Sequence, residues 1–259
     1  MRIQGIEIED LKGYPGILRS LQTDYLRFIS SLFGVYKPGI NLASKIIQEK
    51  NIVKVYDIGS GGGGAIPNLI EDLKSKNIKI PEITLTDLYP NQNAAKIIEE
   101  SSEGKAHYDL RSLNALDVIK EISNDQSTLV TVFNMFHHLD EPAAQKFLAV
   151  AKEKELNLLI VEPLDKSVFQ ILINILVTLI LSPILNLFIL PVRLSRFIFS
   201  YLIPIVPVVT CFDGIFSVLR LYSVSHLNQI TPKGNNYLWE AGKLKFTFGK
   251  TIYLKGEPL

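Results

Sequence analysis

The strongest chemical signal in the chain is the run Asp57-Ile58-Gly59-Ser60-Gly61-Gly62-Gly63-Gly64. Glycine tolerates positive φ and lets the backbone approach a ligand closely. A helix starting just after such a turn aims its free N–H groups at whatever lies in the loop. The run follows strand-like text and precedes helical text, so it reads as a loop for a nucleotide-type ligand. Asp87 closes the next strand, where a carboxylate can accept both hydroxyls of a ribose. A second kind of chemistry belongs to the adjacent pair His137-His138, because imidazole is the usual side chain for removing a proton from an acceptor near neutral pH. Adjacent residues in an irregular segment point differently, so one is expected in the site and one in support. Glu162, ending the fifth strand, could orient a histidine, bind a polar acceptor group or serve as a structural cap. Asp213 and Arg220, seven residues apart, share one helical face and read as an ion pair anchoring a lid. His107 and His226 read as surface or structural residues. No Cys/His cluster has metal-ligand spacing, so no metal is predicted.

These residues need a scaffold, and the hydropathy pattern describes one. Residues 11–50 read as helical, with Leu18, Leu21, Tyr25, Phe28, Ile29 and Leu32 making an apolar stripe that Lys37-Pro38-Gly39 interrupts. Short apolar strands are predicted at 52–58, 83–86, around 107–109, at 129–133 and at 156–161, with helices over 67–76, 91–100 and 141–154. Alternating strands and helices with continuously apolar strands imply a parallel sheet covered on both faces. After residue 228 the chain returns to strand text at Tyr237-Leu238-Trp239 and Thr251-Ile252-Tyr253-Leu254. The fold class is therefore α/β and Rossmann-like, a mostly parallel seven-stranded sheet with an apolar helical insertion between strands 5 and 6. The segments divide as 1–50 (helical lid), 51–165 (core), 166–228 (insertion) and 229–259 (terminal strands).

Here the text resembles the class I S-adenosylmethionine (SAM) dependent methyltransferases. Asp57-x-Gly59-x-Gly61-x-Gly63 is similar to their first motif, with an acid at the strand end that binders of pyrophosphate avoid. The reason is charge, since SAM presents an ammonium and a sulfonium where a dinucleotide presents two phosphates. Phe133-Asn134-Met135-Phe136-His137-His138-Leu139 resembles the stretch after the fourth strand that passes the methyl donor and opens towards the acceptor. Asn114-Ala115 falls where the family usually has an acid and a small residue beside adenine; asparagine can still accept from the adenine amino group. Leu85-Thr86-Asp87-Leu88-Tyr89-Pro90-Asn91, Phe136-His137-His138 and Asp213-Gly214-Ile215-Phe216-Ser217-Val218-Leu219-Arg220 look like a bacterial small-molecule subgroup. The resemblance implies SAM as cofactor, bound by Asp57, Gly59, Ser60, Gly61, Gly63, Asp87, Leu88, Asn114, Ala115, Asn134 and Met135. It implies methyl transfer, O- before C-methylation, with His137, His138 and Glu162 as catalytic candidates. A SAM-binding, membrane-associated protein without transfer is the alternative, and a nicotinamide oxidoreductase a third.

Composition narrows the partners. In 259 residues, 27 Lys and Arg face 26 Asp and Glu, so no long-range field favours nucleic acid. The single cysteine, Cys211, excludes an intrachain disulfide and reads as a small buried hydrophobe. Early acids and no apolar h-region argue against a signal peptide, which predicts a cytoplasmic site of work. Mean hydropathy is +0.21, and the excess lies between Val168 and Leu221. That block is long enough to span a bilayer core, but its two ends join strands of one sheet, and Arg193 and Arg196 would fall on the far side. It reads instead as a cap over a lipophilic substrate, a monotopic contact with the inner membrane face, or a homodimer surface.

Overall fold

The computed structural model describes residues 2–3, 5–247 and 249–259. Two helices, α1 (Gly16–Leu32) and α2 (Lys37–Glu49), precede the sheet. Lys37-Pro38-Gly39 opens α2 instead of interrupting a helix. Proline in a first turn forgoes an N–H that has no intrahelical partner anyway. Then come β1 (Lys54–Ile58), α3 (Ile66–Ser75), β2 (Glu82–Asp87), α4 (Gln92–Ser101) and β3 (Ala106–Ser112). A short helix absent from the sequence reading, α5 (Ala115–Glu121), leads to β4 (Thr128–Phe133), α6 (Glu141–Glu153) and β5 (Asn157–Glu162). After β5 the insertion holds α7 (Val168–Ile175), α8 (Ser182–Leu185), α9 (Leu194–Phe197), α10 (Ile205–Arg220) and α11 (Val224–Ile230), with π-helical turns at Leu176–Ile180 and Ile198–Leu202. A hairpin of β6 (Tyr237–Phe246) and β7 (Gly249–Pro258) ends the chain.

The strands form one seven-stranded sheet in the order β3-β2-β1-β4-β5-β7-β6. The first five are parallel, and β7 returns antiparallel between β5 and β6. Successive side chains of a strand point to opposite faces, and both faces here are apolar. Leu129, Phe133, Leu159 and Val161 pack with α2, α3 and α4 on one side. Val130, Val132, Leu158 and Ile160 pack with α5, α6 and α11 on the other. Strand order reverses between β1 and β4, and in open α/β sheets the crevice at the carboxyl ends beside that reversal is where ligands bind.

The insertion obeys a different rule. Between Val168 and Ile203 the buried side chains are Gln170, Thr178, Ser182, Asn186, Arg196 and Ser200, with Ile189 the one apolar member. Among the described residues, seventeen of twenty-seven exposed large apolar side chains lie between Val168 and Phe212. Some interior polar groups are met locally: Asn174 Nδ2 donates to Cys211 O, Thr178 Oγ1 to Asn174 O, and Tyr25 OH of α1 to Val177 O, whereas Ser182 Oγ, Ser200 Oγ and both amide atoms of Asn186 have no partner among the described residues. Arg196 turns inward, its guanidinium 3.0 Å from Asp24 of α1. Among the described residues, no single helix is long and apolar enough to cross a membrane. Two pairs would meet the length and composition together but bend, Val168–Ile180 with Ser182–Phe188 by 51° and Leu194–Leu202 with Ile205–Arg220 by 73°.

Candidate functional site

A cavity of about 400 Å³ opens at the carboxyl ends of β1, β2 and β4, within the size range of small-molecule sites. The glycine loop forms its floor. Gly59 N and Ser60 N donate to Thr86 O at 2.9 and 3.0 Å, which pins the loop to β2. Gly59 has φ +73°, and a Cβ there would fall 2.3 Å from Met135 Cγ. Gly61 has φ +52° and no heavy atom within 4 Å of the Cβ position, so its bare backbone leaves room for a ligand. Gly63 does not line the cavity; a Cβ there would meet Ile98.

Asp57 lies beneath the loop, not on the cavity wall. Its carboxylate accepts from Ser60 Oγ at 2.6 Å and Thr131 Oγ1 at 2.7 Å. Burial outweighs those two bonds and raises its pKa to about 6. Its charge therefore acts through the loop it braces. Asp87 does line the cavity. It accepts from Gly61 N and Tyr89 N, both at 2.7 Å, and burial raises its pKa despite these bonds. Each oxygen keeps a lone pair for a hydroxyl. Leu88, Ala115 and Met135 complete the apolar part of this wall.

Asn114 lines the cavity but spends its side-chain oxygen as the N-cap of α5, accepting from Leu116 N at 2.9 Å. That bond takes one lone pair of the oxygen and leaves the other, with the Nδ2 donor, without a bond among the described residues. Asn134 stands in the left-handed region at φ 57°, which asparagine tolerates better than most residues. Its buried Oδ1 has no donor among the described residues.

The two histidines divide their roles. His137 is 0 % exposed and does not reach the cavity. Glu162 accepts from its backbone N at 3.0 Å and from Nδ1 at 2.8 Å. Burial alone would lower the imidazole pKa, but the Glu162 and Glu7 carboxylates outweigh it and raise it to about 10. Glu162 is likewise buried and off the wall, so this pair stands behind the cavity surface. His138 does line the cavity, with Nδ1 2.9 Å from Asp10 Oδ2.

The N-terminal arm supplies residues that the sequence reading passed over. Glu9 and Asp10 form part of the wall, with Arg19, Thr23, Leu26 and Arg27 from α1. Burial raises the Glu9 pKa to about 7, and its carboxylate makes no ion pair among the described residues. Asp213 and Arg220 do not pair with each other. Asp213 accepts from Ile8 N and Glu9 N, while Arg220 reaches Glu7, Asp10 and His138 O. Both ends of one helical face grip the arm separately. The acidic cluster Glu7-Ile8-Glu9-Asp10 just ahead of an amphipathic helix was the available signal. No residue of the insertion lines this cavity, which α1 and the arm cover, while Ile189 and Leu190 of the insertion line a neighbouring one with Arg27 and Gly64.

This sheet order, with a glycine loop after β1 and an antiparallel final hairpin, defines a Rossmann-like fold of the class I methyltransferase type. No family model and no curated protein matches the chain. Among solved structures, a putative O-methyltransferase from Nostoc punctiforme PCC 73102 is 14% identical with a TM-score of 0.43, over 89% of this chain and 59% of that one. The chain thus spans less than two thirds of that protein. The methyltransferase domain of bacterial CtHen1 is 14% identical with a TM-score of 0.46, over 87% of this chain and 100% of the domain. A putative Zn-dependent alcohol dehydrogenase from Rhodobacter sphaeroides is 11% identical with a TM-score of 0.44, over 80% of this chain and 85% of that one. Similarity at this level does not separate one activity from another.

Proposed function

We propose that the protein is a SAM-dependent methyltransferase acting on a small lipophilic acceptor, with O-methylation the first expectation. The observation that carries this reading is the pairing, on one cavity, of the Asp87 carboxylate and the unpartnered Oδ1 of Asn134. A polar atom left without a donor in a buried position is costly, and a cationic ligand amine would satisfy it. The residues fit the cofactor: Asp87 for ribose hydroxyls, Asn134 for the ammonium, Arg27 for the carboxylate, and Leu88, Leu113 and Ala115 beside the base. A dinucleotide fits less well. Glu9, Asp10 and Asp87 would oppose two phosphates, and Gly61 N is already committed to Asp87.

When bound, SAM supplies a methyl group on a sulfonium that leaves as a neutral thioether. The chain's own residues position the acceptor and receive its proton. Glu9 and Asp87 are the wall carboxylates without an ion pair among the described residues, and with Asp87 given to the ribose, Glu9 receives the proton of an acceptor hydroxyl. His138 is held by Asp10 through Nδ1 and by Glu7 through Nε2, so its ring shapes the wall beside the acceptor instead of taking its proton. The lipophilic character of the acceptor rests on the insertion. Its outward apolar side chains and inward polar ones are the arrangement of a surface that meets hydrocarbon, and the acceptor is drawn from the bilayer on which it rests.

Calorimetric titration of SAM and S-adenosylhomocysteine into wild type, Asp87→Ala and Asn134→Ala tests the cofactor. Micromolar binding that each substitution weakens about tenfold (about 1.4 kcal/mol) is expected. A folded wild type that binds neither ligand overturns the proposal. Flotation with phosphatidylglycerol-containing vesicles tests the insertion. Vesicle-free protein that runs as a dimer would overturn the lipid contact.

A further inference from the structure

Behind the cavity wall, three residues from the N-terminal arm and the core meet. Glu7 comes from the N-terminal arm, His137 and His138 from the turn after β4. Their ligand atoms all lie within 4.8 Å of one another. His137 Nε2 stands 3.5 Å from Glu7 Oε1, and His138 Nε2 3.5 Å from Glu7 Oε2. The two imidazole rings are 4.3 Å apart at an angle of 40°. His137 Nε2 is fully buried and makes no hydrogen bond of good geometry, the Glu7 carboxylate at 3.5 Å being what it faces.

The far nitrogens explain why the near ones are left. His137 Nδ1 meets Glu162 at 2.8 Å, and His138 Nδ1 meets Asp10 at 2.9 Å. A carboxylate can only accept, so each Nδ1 carries a proton, and each Nε2 faces Glu7 with a proton that leaves when an ion takes its place. A carboxylate behind each imidazole is the arrangement that holds histidines as metal ligands in the right tautomer and orientation. Ser217 Oγ at 3.1 Å and Arg220 Nη1 at 3.3 Å both address Glu7 Oε1, which fixes the third carboxylate. Once both Nε2 protons have left, the three carboxylates of Glu7, Glu162 and Asp10 outnumber the Arg220 guanidinium by two charges, which one divalent cation balances. His138 also reaches the cavity, which supplies the entry path.

We propose that Glu7, His137 and His138 bind one divalent transition-metal ion through a carboxylate oxygen and two imidazole Nε2 atoms. Two nitrogens and an oxygen suit zinc and its neighbours, not calcium or magnesium. Glu7 and His137 are 1 % and 0 % exposed, so the ion sits behind the wall and not at the acceptor. It ties the arm that carries Glu9 and Asp10 to the turn after β4. The histidines are adjacent, but Glu7 lies 130 residues away, so spacing along the chain could not show the set. This site does not depend on the methyl-transfer reading.

The test uses the full chain, stripped with chelator and titrated with Co²⁺ under anaerobic conditions, then with Zn²⁺. One equivalent of Co²⁺, giving visible ligand-field absorption that Zn²⁺ abolishes, is expected. Unfolding should shift to higher temperature with the ion bound. Glu7→Gln and His137→Gln should lose the spectrum, and Asp10→Asn should weaken binding at least tenfold while keeping the ligands. If the buried variants fail to fold, the wild-type stoichiometry and Asp10→Asn still decide. Folded wild type that takes up neither ion, or uptake unaltered by Asp10→Asn, overturns the site and leaves a purely ionic cluster with protonated imidazoles.

Discussion

Every side chain of β4 and β5 is buried, and Val130, Val132 and Phe133 lie opposite Leu158, Ile160 and Val161. Across Val168–Ile203 the buried set is Gln170, Thr178, Ser182, Asn186, Arg196, Ser200 and Ile189, while Phe169, Leu187 and Phe188 are exposed. The sheet realises about 25 cal/mol for each Å² of apolar surface withdrawn from water; the insertion leaves that free energy unrealised in the isolated chain. Its helices meet through small and polar groups such as Asn174, Thr178 and Ser182, the manner of helices surrounded by hydrocarbon, where apolar contacts between helices bring no gain over lipid.

The largest effect that could break this contrast is expected from Phe169→Ser, Leu187→Ser and Phe188→Ser together. Each should forfeit about 1.5 kcal/mol or more of lipid contact, lowering vesicle partitioning roughly a thousandfold. Urea unfolding should barely change, and a collapse of stability would show that these side chains are core. Next comes Phe147→Ala, fully buried on α6, for which a loss of about 3–5 kcal/mol in urea unfolding is expected, with vesicle binding unaltered.

Asp57 gives a third test, by pH. Its folded pKa is raised to about 6 by burial, against about 3.9 unfolded. A raised folded value means stability that is complete below pH ~4 and lost as pH rises through ~6. Relative to Asp57→Asn, wild type should lose on the order of 2 kcal/mol between pH 4 and 7, read by denaturant midpoints. An unchanging difference would place the carboxylate in contact with water. The smallest effect belongs to Arg196→Met, at the seam between the regions. Arg27 and Arg193 still face Asp24 at 3.3 and 3.4 Å, so about 1 kcal/mol is expected in thermal unfolding instead of the ~3–5 of an orphaned buried charge.

Features set by neighbours in the chain were legible. The apolar strands announced themselves because both faces of the sheet are covered, and the glycine loop because strand, turn and helix are contiguous. Asp87 followed from the same local logic. Features set by distant contacts were hidden. Asn114 looked like a ligand acceptor, but the helix it caps is too short to show periodicity. Asp213 and Arg220 share a face, yet each finds its partner in the arm about two hundred residues earlier. His137 and His138 are indistinguishable in sequence; the Glu162 carboxylate, pairing with one, separates them. Hydropathy registered the insertion's apolar excess but not its direction, because composition is blind to which side of a helix is turned outward.

One consequence follows from where the arm is fastened. Glu9 and Asp10 close the cavity, but the groups gripping that arm, Asp213, Ser217 and Arg220, belong to α10, whose other end presents Val208 outward. A single rigid rod thus has the exterior at one end and the cavity's closure at the other. Any free energy by which a surface beneath the insertion favours the seated arm is, by reciprocity, the free energy by which a ligand in the cavity favours that surface. Occupancy and adhesion become one quantity measured from two ends.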